Sequence, residues 1–141
     1  VSDGAGGVHH VPLDGVHRAL GASMVAFAGW EMPVRYASDL AEHHAVRSAA
    51  GLFDVSHMGR IELSGPDVTA TLEATLVSRV TDLDVGRARY TMLCDDRGGV
   101  IDDLIVTRLE TSFLLIANAA NTPAVLAALR SAASAHDTTV L

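Results

Sequence analysis

The chain contains no lysine; all ten of its basic residues are arginines. That absence removes lysine-dependent chemistry from these residues, both the Schiff base to pyridoxal phosphate and the P-loop lysine. There is one cysteine, Cys94, so there is no internal disulfide and no cysteine-built zinc site. A single free thiol fits a reducing compartment, the bacterial cytoplasm or a mitochondrial matrix. No run of about twenty apolar residues exists to span a membrane. The first ten residues have neither a basic end nor an apolar core, so they are not a secretory signal. Positive charge is also scarce. Seventeen acids face the ten arginines for a net charge of −7, which argues against a sequence-independent grip on nucleic acid.

What the chain has is apolar content, 49% of 141 residues, enough for one packed domain with an arm. Residues 1–12 are Gly-rich and predict a flexible arm. Residues 13–36 read as an N-terminal segment belonging to the first domain: a short helix stopped by Gly21, a small strand over 24–28, then Gly29 to Tyr36. Pro33 forbids an ordinary helix there, so that last stretch reads as a loop whose Trp30 and Tyr36 are packed down or line a pocket. Residues 37–141 read as the body of the domain. Ser38 is a plausible N-cap for a helix to about Ala50, with Leu40, Ala45, Val46 and Ala49 inward. Strand, helix, three strands, helix (capped by Thr122) and a last strand follow from residue 60. This order predicts an α+β fold, an antiparallel or mixed sheet with helices on one face, a layer of ferredoxin-like character. The last strand has barely begun at Leu141, so the domain is expected to be incomplete at its C-terminal end.

Several constellations fail on spacing. His43 and His44 are adjacent, whereas helical metal ligands sit three or four apart; no metal site is expected. Ser56-His57 lacks the Gly-x-Ser-x-Gly elbow of a hydrolase, and no Gly-x-Gly-x-x-Gly follows a strand. Gly98-Gly99-Val100-Ile101-Asp102-Asp103-Leu104-Ile105-Val106 is different. It sets two adjacent carboxylates in an apolar strand after a turn. Successive side chains of a strand face opposite ways, so one Asp faces inward and loses solvation unless donors compensate. Taken alone, the pair reads either as a solvated hairpin mouth or as a site, and the residues do not assign which Asp faces a ligand. Asn118, at the end of the next apolar strand, adds an amide that can sit beside that carboxylate. Together they can read the donor–acceptor edge of a heterocycle, with Met58 and Tyr90 as walls.

Phe27-Ala28-Gly29-Trp30-Glu31-Met32-Pro33-Val34-Arg35-Tyr36, then Glu42-His43-His44-Ala45-Val46-Arg47, then Gly51-Leu52-Phe53-Asp54-Val55-Ser56-His57-Met58-Gly59, resemble the N-terminal part of the glycine cleavage system T-protein family, the aminomethyltransferases. The Asp102–Asp103 stretch and Asn118-Ala119-Ala120-Asn121 resemble its next two motifs, in order. The resemblance runs from about Pro12 to the end and covers well under half of a full-length member. It implies transfer of an aminomethyl group from the lipoyl arm of H-protein to tetrahydrofolate with release of ammonia, in glycine catabolism. It implies tetrahydrofolate and lipoylated H-protein as partners, with no metal, membrane or nucleic acid. Asp103 matches the family's catalytic carboxylate, with Asp102 second choice. Asn118 matches a pterin-contacting amide, and Met58, Tyr90, Leu114 and Ile116 match positions lining the folate pocket. Arg35 departs from the family's usual Gln. Further folate-contacting residues of the family lie beyond Leu141, so these residues alone are expected to be inactive. Two relatives of the same resemblance are the folate domain of dimethylglycine or sarcosine dehydrogenases and a non-transferase folate binder of iron–sulfur assembly.

Overall fold

The computed structural model describes residues 7–141, so half of the expected arm, residues 1–6, lies outside the described residues. The chain divides into two compact units, Val1–His57 and Met58–Leu141. The division falls after His57, later than the 36/37 boundary the sequence suggests.

The first unit has β1 (His9–His10), α1 (Asp14–Ala19), β2 (Ser23–Phe27), β3 (Trp30–Arg35) and α2 (Asp39–Ser48). Its sheet runs β1-β3-β2. His9 and His10, expected in the arm, pair in parallel with Trp30 and Glu31. The stretch read as a loop is also corrected: it is β3, the second strand of a hairpin closed by Phe27 opposite Trp30. Ala28 (φ 51°) and Gly29 (φ 81°) make the turn. Two consecutive positive φ values match the twist of a tight hairpin, although Ala is an unfavourable residue for the first. Pro33 is tolerated because β1 covers only Trp30 and Glu31; beyond them one side of β3 is an open edge, where a missing N–H breaks no ladder bond.

At the start of α2, Ser38 Oγ accepts from the Ala41 N–H at 3.4 Å. Glu42 accepts from the Tyr36 and Ala37 N–H groups at 2.8 and 3.0 Å. The inward face expected of Leu40, Ala45, Val46 and Ala49 is not found: no residue of α2 is buried, and Leu40 is 65% exposed. Periodicity gives a helix an apolar stripe, but burial needs a partner element, and none among the described residues covers this one.

The second unit has β4 (Gly59–Ser64), α3 (Val68–Thr75), β5 (Ala88–Cys94), β6 (Val100–Arg108), β7 (Ser112–Ala117), α4 (Thr122–Ala133) and β8 (Thr139–Val140). The sheet order is β5-β6-β7-β4-β8, antiparallel throughout. The α+β reading with helices on one face holds. Val68 and Leu72 of α3 and Val125 and Leu129 of α4 pack with Ile61, Leu63, Leu93, Leu104, Val106 and Leu115 into one core. Each such side chain contributes about 1.5–3 kcal/mol through burial. Strand alternation forms the core: Asp102, Leu104 and Val106 are buried while Asp103 and Ile105 are exposed. Asn121, not Thr122, occupies the N-cap position of α4; Thr122 opens the helix with Pro123 behind it. Gly59 lets β4 approach α4, since a Cβ there would stand 2.2 Å from Thr122 Oγ1.

Candidate functional site

The β6 register decides which way each acid of the pair points. Asp102 lies opposite Leu93 and Asp103 opposite Met92, on the core-facing and open faces of the sheet respectively. Asp102 is 2% exposed. Its carboxylate accepts from the Asn118 backbone N–H at 2.9 Å, the Asn118 side-chain amide at 3.0 Å and the Asn121 amide at 2.7 Å. Three donors at the start of α4 offset its desolvation without a cation, and the helix N-terminus adds a favourable dipole.

Asp103 stands on the open face, exposed. Tyr90 donates its hydroxyl to Asp103 Oδ2 at 3.3 Å, and the Asn118 amide reaches Asp103 Oδ1 at 3.1 Å. Contact with the sheet strips water from the Tyr90 hydroxyl, and the Asp103 charge adds to it; both push the phenol above its ordinary pKa. Tyr90 therefore stays protonated beside Asp103 at neutral pH and remains a donor.

The rest of the predicted set falls around this group by register. Tyr90 pairs with Ile105, Ile105 with Ile116, and Thr107 with Leu114. Leu114 and Ile116 are half-buried, between the buried Phe113, Leu115 and Ala117, so they belong to the open face. Met58 is half-buried and immediately precedes Gly59, which pairs with Ala117. The open face thus presents Tyr90, Ile105, Ile116 and Leu114 as an apolar surface, with Asp103 and the Asn118 amide at one side and the exposed Arg60 and Glu62 of β4, opposite Ile116 and Leu114, at the other. Such a surface stacks a planar, polar-edged molecule. Asn121 was missed in the sequence. Its signal was available: two Asn three residues apart, just ahead of a helix start.

The first unit holds a second buried polar group, with no sequence signal because its members are far apart in the chain. His17, 5% exposed, contacts the Tyr36 hydroxyl through Nδ1 at 2.7 Å and Asp54 Oδ2 through Nε2 at 2.8 Å. Burial pushes the Asp54 carboxyl up, but hydrogen bonds from Ser56 and His17 outweigh it and leave its pKa below the ordinary value. Tyr36 and Asp54 border a groove of about 600 Å3, with Met32, Arg35 and Phe53. The groove includes none of the predicted site residues. Concavity favours it as a binding place, but a carboxylate, an amide and a phenol converge on the open sheet face, and converging polar groups of this kind define a site's chemistry where concavity alone does not.

His10, Asp14 and Glu31 bring ligand atoms within 4.8 Å of one another. Arg18 already bonds both carboxylates, at 3.0 and 2.5 Å, so an ion-pair network accounts for that cluster. His43 and His44 are exposed on α2, their rings edge to face at 5.7 Å.

Comparison with known proteins agrees with the motifs. Residues 13–141 match the GCVT N-terminal domain. The aminomethyltransferase of Streptomyces avermitilis is 54% identical over 132 residues, 93% of this chain and 36% of that protein. The aminomethyltransferase of Saccharopolyspora erythraea is 56% identical over 119 residues, 84% of this chain and 32% of that protein. The crystal structure of glycine cleavage system aminomethyltransferase T from Bartonella henselae matches with a TM-score of 0.92 at 41% identity, over 95% of this chain and 38% of that one. The chain therefore spans about a third of the length of these relatives. It belongs to the GCVT family, and it matches that family through its N-terminal domain.

Proposed function

We propose that this chain forms one wall of the folate site of a glycine cleavage system aminomethyltransferase, with Asp103 as its catalytic carboxylate. The observation that carries this reading is the exposed Asp103, held by Tyr90 and Asn118 at the edge of an apolar sheet face. A pterin ring stacks on Tyr90, Ile116 and Leu114, and its polar edge meets Asn118.

The reaction moves one carbon. The sulfur-bound aminomethyl carbon on the lipoyl arm of H-protein loses its bonds to sulfur and to nitrogen and gains two bonds to folate nitrogens. The two protons released from those nitrogens go to the departing amine, which leaves as ammonia, and to the sulfur, which is left as a thiol. Positive charge develops on the carbon as the amine leaves and on each folate nitrogen as it attacks. A fixed carboxylate beside those atoms stabilises that charge and helps pass the protons. Asp103 is suited to this because it is exposed and oriented by two donors, whereas Asp102 is consumed by three donors on the core side.

The test uses the chain as its gene encodes it in full, with aminomethylated H-protein and tetrahydrofolate. Formation of methylenetetrahydrofolate and ammonia supports the reading. Folate binding without transfer points to the non-transferase folate binder, and transfer only from an N-methylated amine points to the dehydrogenase-linked domain.

A further inference from the structure

Asp102 is a buried ionisable group that the proposed chemistry does not use. Its carboxylate takes both the backbone and side-chain N–H groups of Asn118, and the amide of Asn121. The Asn118 side-chain nitrogen also reaches the Asp103 carboxylate and the Asp103 backbone oxygen, each at 3.1 Å. An ionised carboxylate only accepts, so these partners orient the amide one way: nitrogen toward the acids, oxygen away. Both protons of the amide nitrogen are shared among three oxygens. Its carbonyl oxygen has no protein donor among the described residues.

We propose that Asp102 is a positioning residue that locks the orientation of Asn118, so that Asn118 meets the ligand as an acceptor only and the site selects a heterocycle edge offering N–H donors. This deepens the folate reading and rests on it. The same lock holds the Asn118 amide against Asp103, so the two groups that face the ligand share one buried anchor.

A double-mutant cycle separates this from a merely structural part in the start of α4. In the chain as its gene encodes it in full, tetrahydrofolate affinity is measured by calorimetry for wild type, Asp102→Asn, Asn118→Ala and the double variant. Asp102→Asn should weaken binding by about tenfold, as expected for a lost charge-assisted hydrogen-bond arrangement. In the Asn118→Ala background the same change should cost no more than about twofold, because positioning acts only through its target. Equal fold-losses in both backgrounds, or a folded Asp102→Asn variant that binds as wild type does, overturn the proposal. A readout without ligand keeps it distinct from the functional reading. Hydrogen exchange of the Asn118 side-chain NH2, followed by NMR, should be slow in wild type and at least about tenfold faster in Asp102→Asn; equal rates overturn the lock. Wild-type protein that binds no tetrahydrofolate while showing the slow NH2 refutes the folate reading alone.

Discussion

At the scale of single residues, burial divides two neighbouring acids of one type into different chemistries. Asp102 is surrounded by amide donors, and Asp103 faces the open side with one phenol and one amide. Strand alternation alone made this division legible as an alternative; register against Leu93 and Met92 assigns it. Asp54 is a third kind of acid, buried against His17 and Ser56. Its folded pKa is lowered, so the stability it contributes is fully present above the unfolded value, about 3.9 for Asp. That contribution is lost as pH falls through the lower folded value. Asp54→Asn is therefore expected to lower the melting temperature at pH 7, with the gap to wild type closing as pH drops below about 4. Melting curves between pH 2 and 7 check this; a gap independent of pH would show that the charge is not what Asp54 contributes.

At the scale of elements, the second unit was largely readable and the first was not. In β4, Ile61 and Leu63 alternate inward as their pattern predicts, because the sheet has a helical layer to bury them against. In β3 the same kind of reasoning failed: Pro33 marked the stretch as irregular, and only the short reach of β1 makes a strand possible there. In α2 the apolar spacing was real but its burial was not. Local sequence carries propensity and period, and it does not carry which partner arrives. The contact of β4 with α4 is another pairing of this kind. Gly59→Ala should cost about 1–3 kcal/mol, because its methyl meets the Thr122 side chain and the sheet has no room to yield. Thr122→Ala in the same chain should recover part of the loss by removing the two nearest atoms. Denaturant midpoints measure both, and a neutral Gly59→Ala would mean the helix moves freely at this point.

At the scale of the whole molecule, the two units differ in how much core they own. In the second unit, Leu63, Leu72, Leu104, Leu115, Val125 and Leu129 are fully or almost fully buried. In the first, among the described residues, Val11 and Met32 are the buried apolar side chains, and Phe27, Leu40, Leu52 and Phe53 are all more than half exposed. A unit with so little apolar burial opens at lower free energy. Native-state hydrogen exchange should find the amides of β4, β6 and β7 the slowest and those of β2 and β3 faster by about tenfold or more, roughly 1.4 kcal/mol. Uniform protection across both units would contradict that difference. The family, too, was legible at this scale, through five motifs in order rather than through any one residue. The buried group of His17, Tyr36 and Asp54 was not, since its members lie far apart in the chain.

The central claim is that the open-face carboxylate serves the chemistry. Asp103→Asn keeps the size of the side chain and removes its charge. The measurement is methylenetetrahydrofolate formation from aminomethylated H-protein, with tetrahydrofolate affinity determined alongside, for wild type and Asp103→Asn in the chain as its gene encodes it in full. The account predicts a fall in kcat of about 10²–10³-fold, the size expected for losing a fixed electrostatic stabiliser, with affinity changed far less. Near-normal turnover in Asp103→Asn would contradict it.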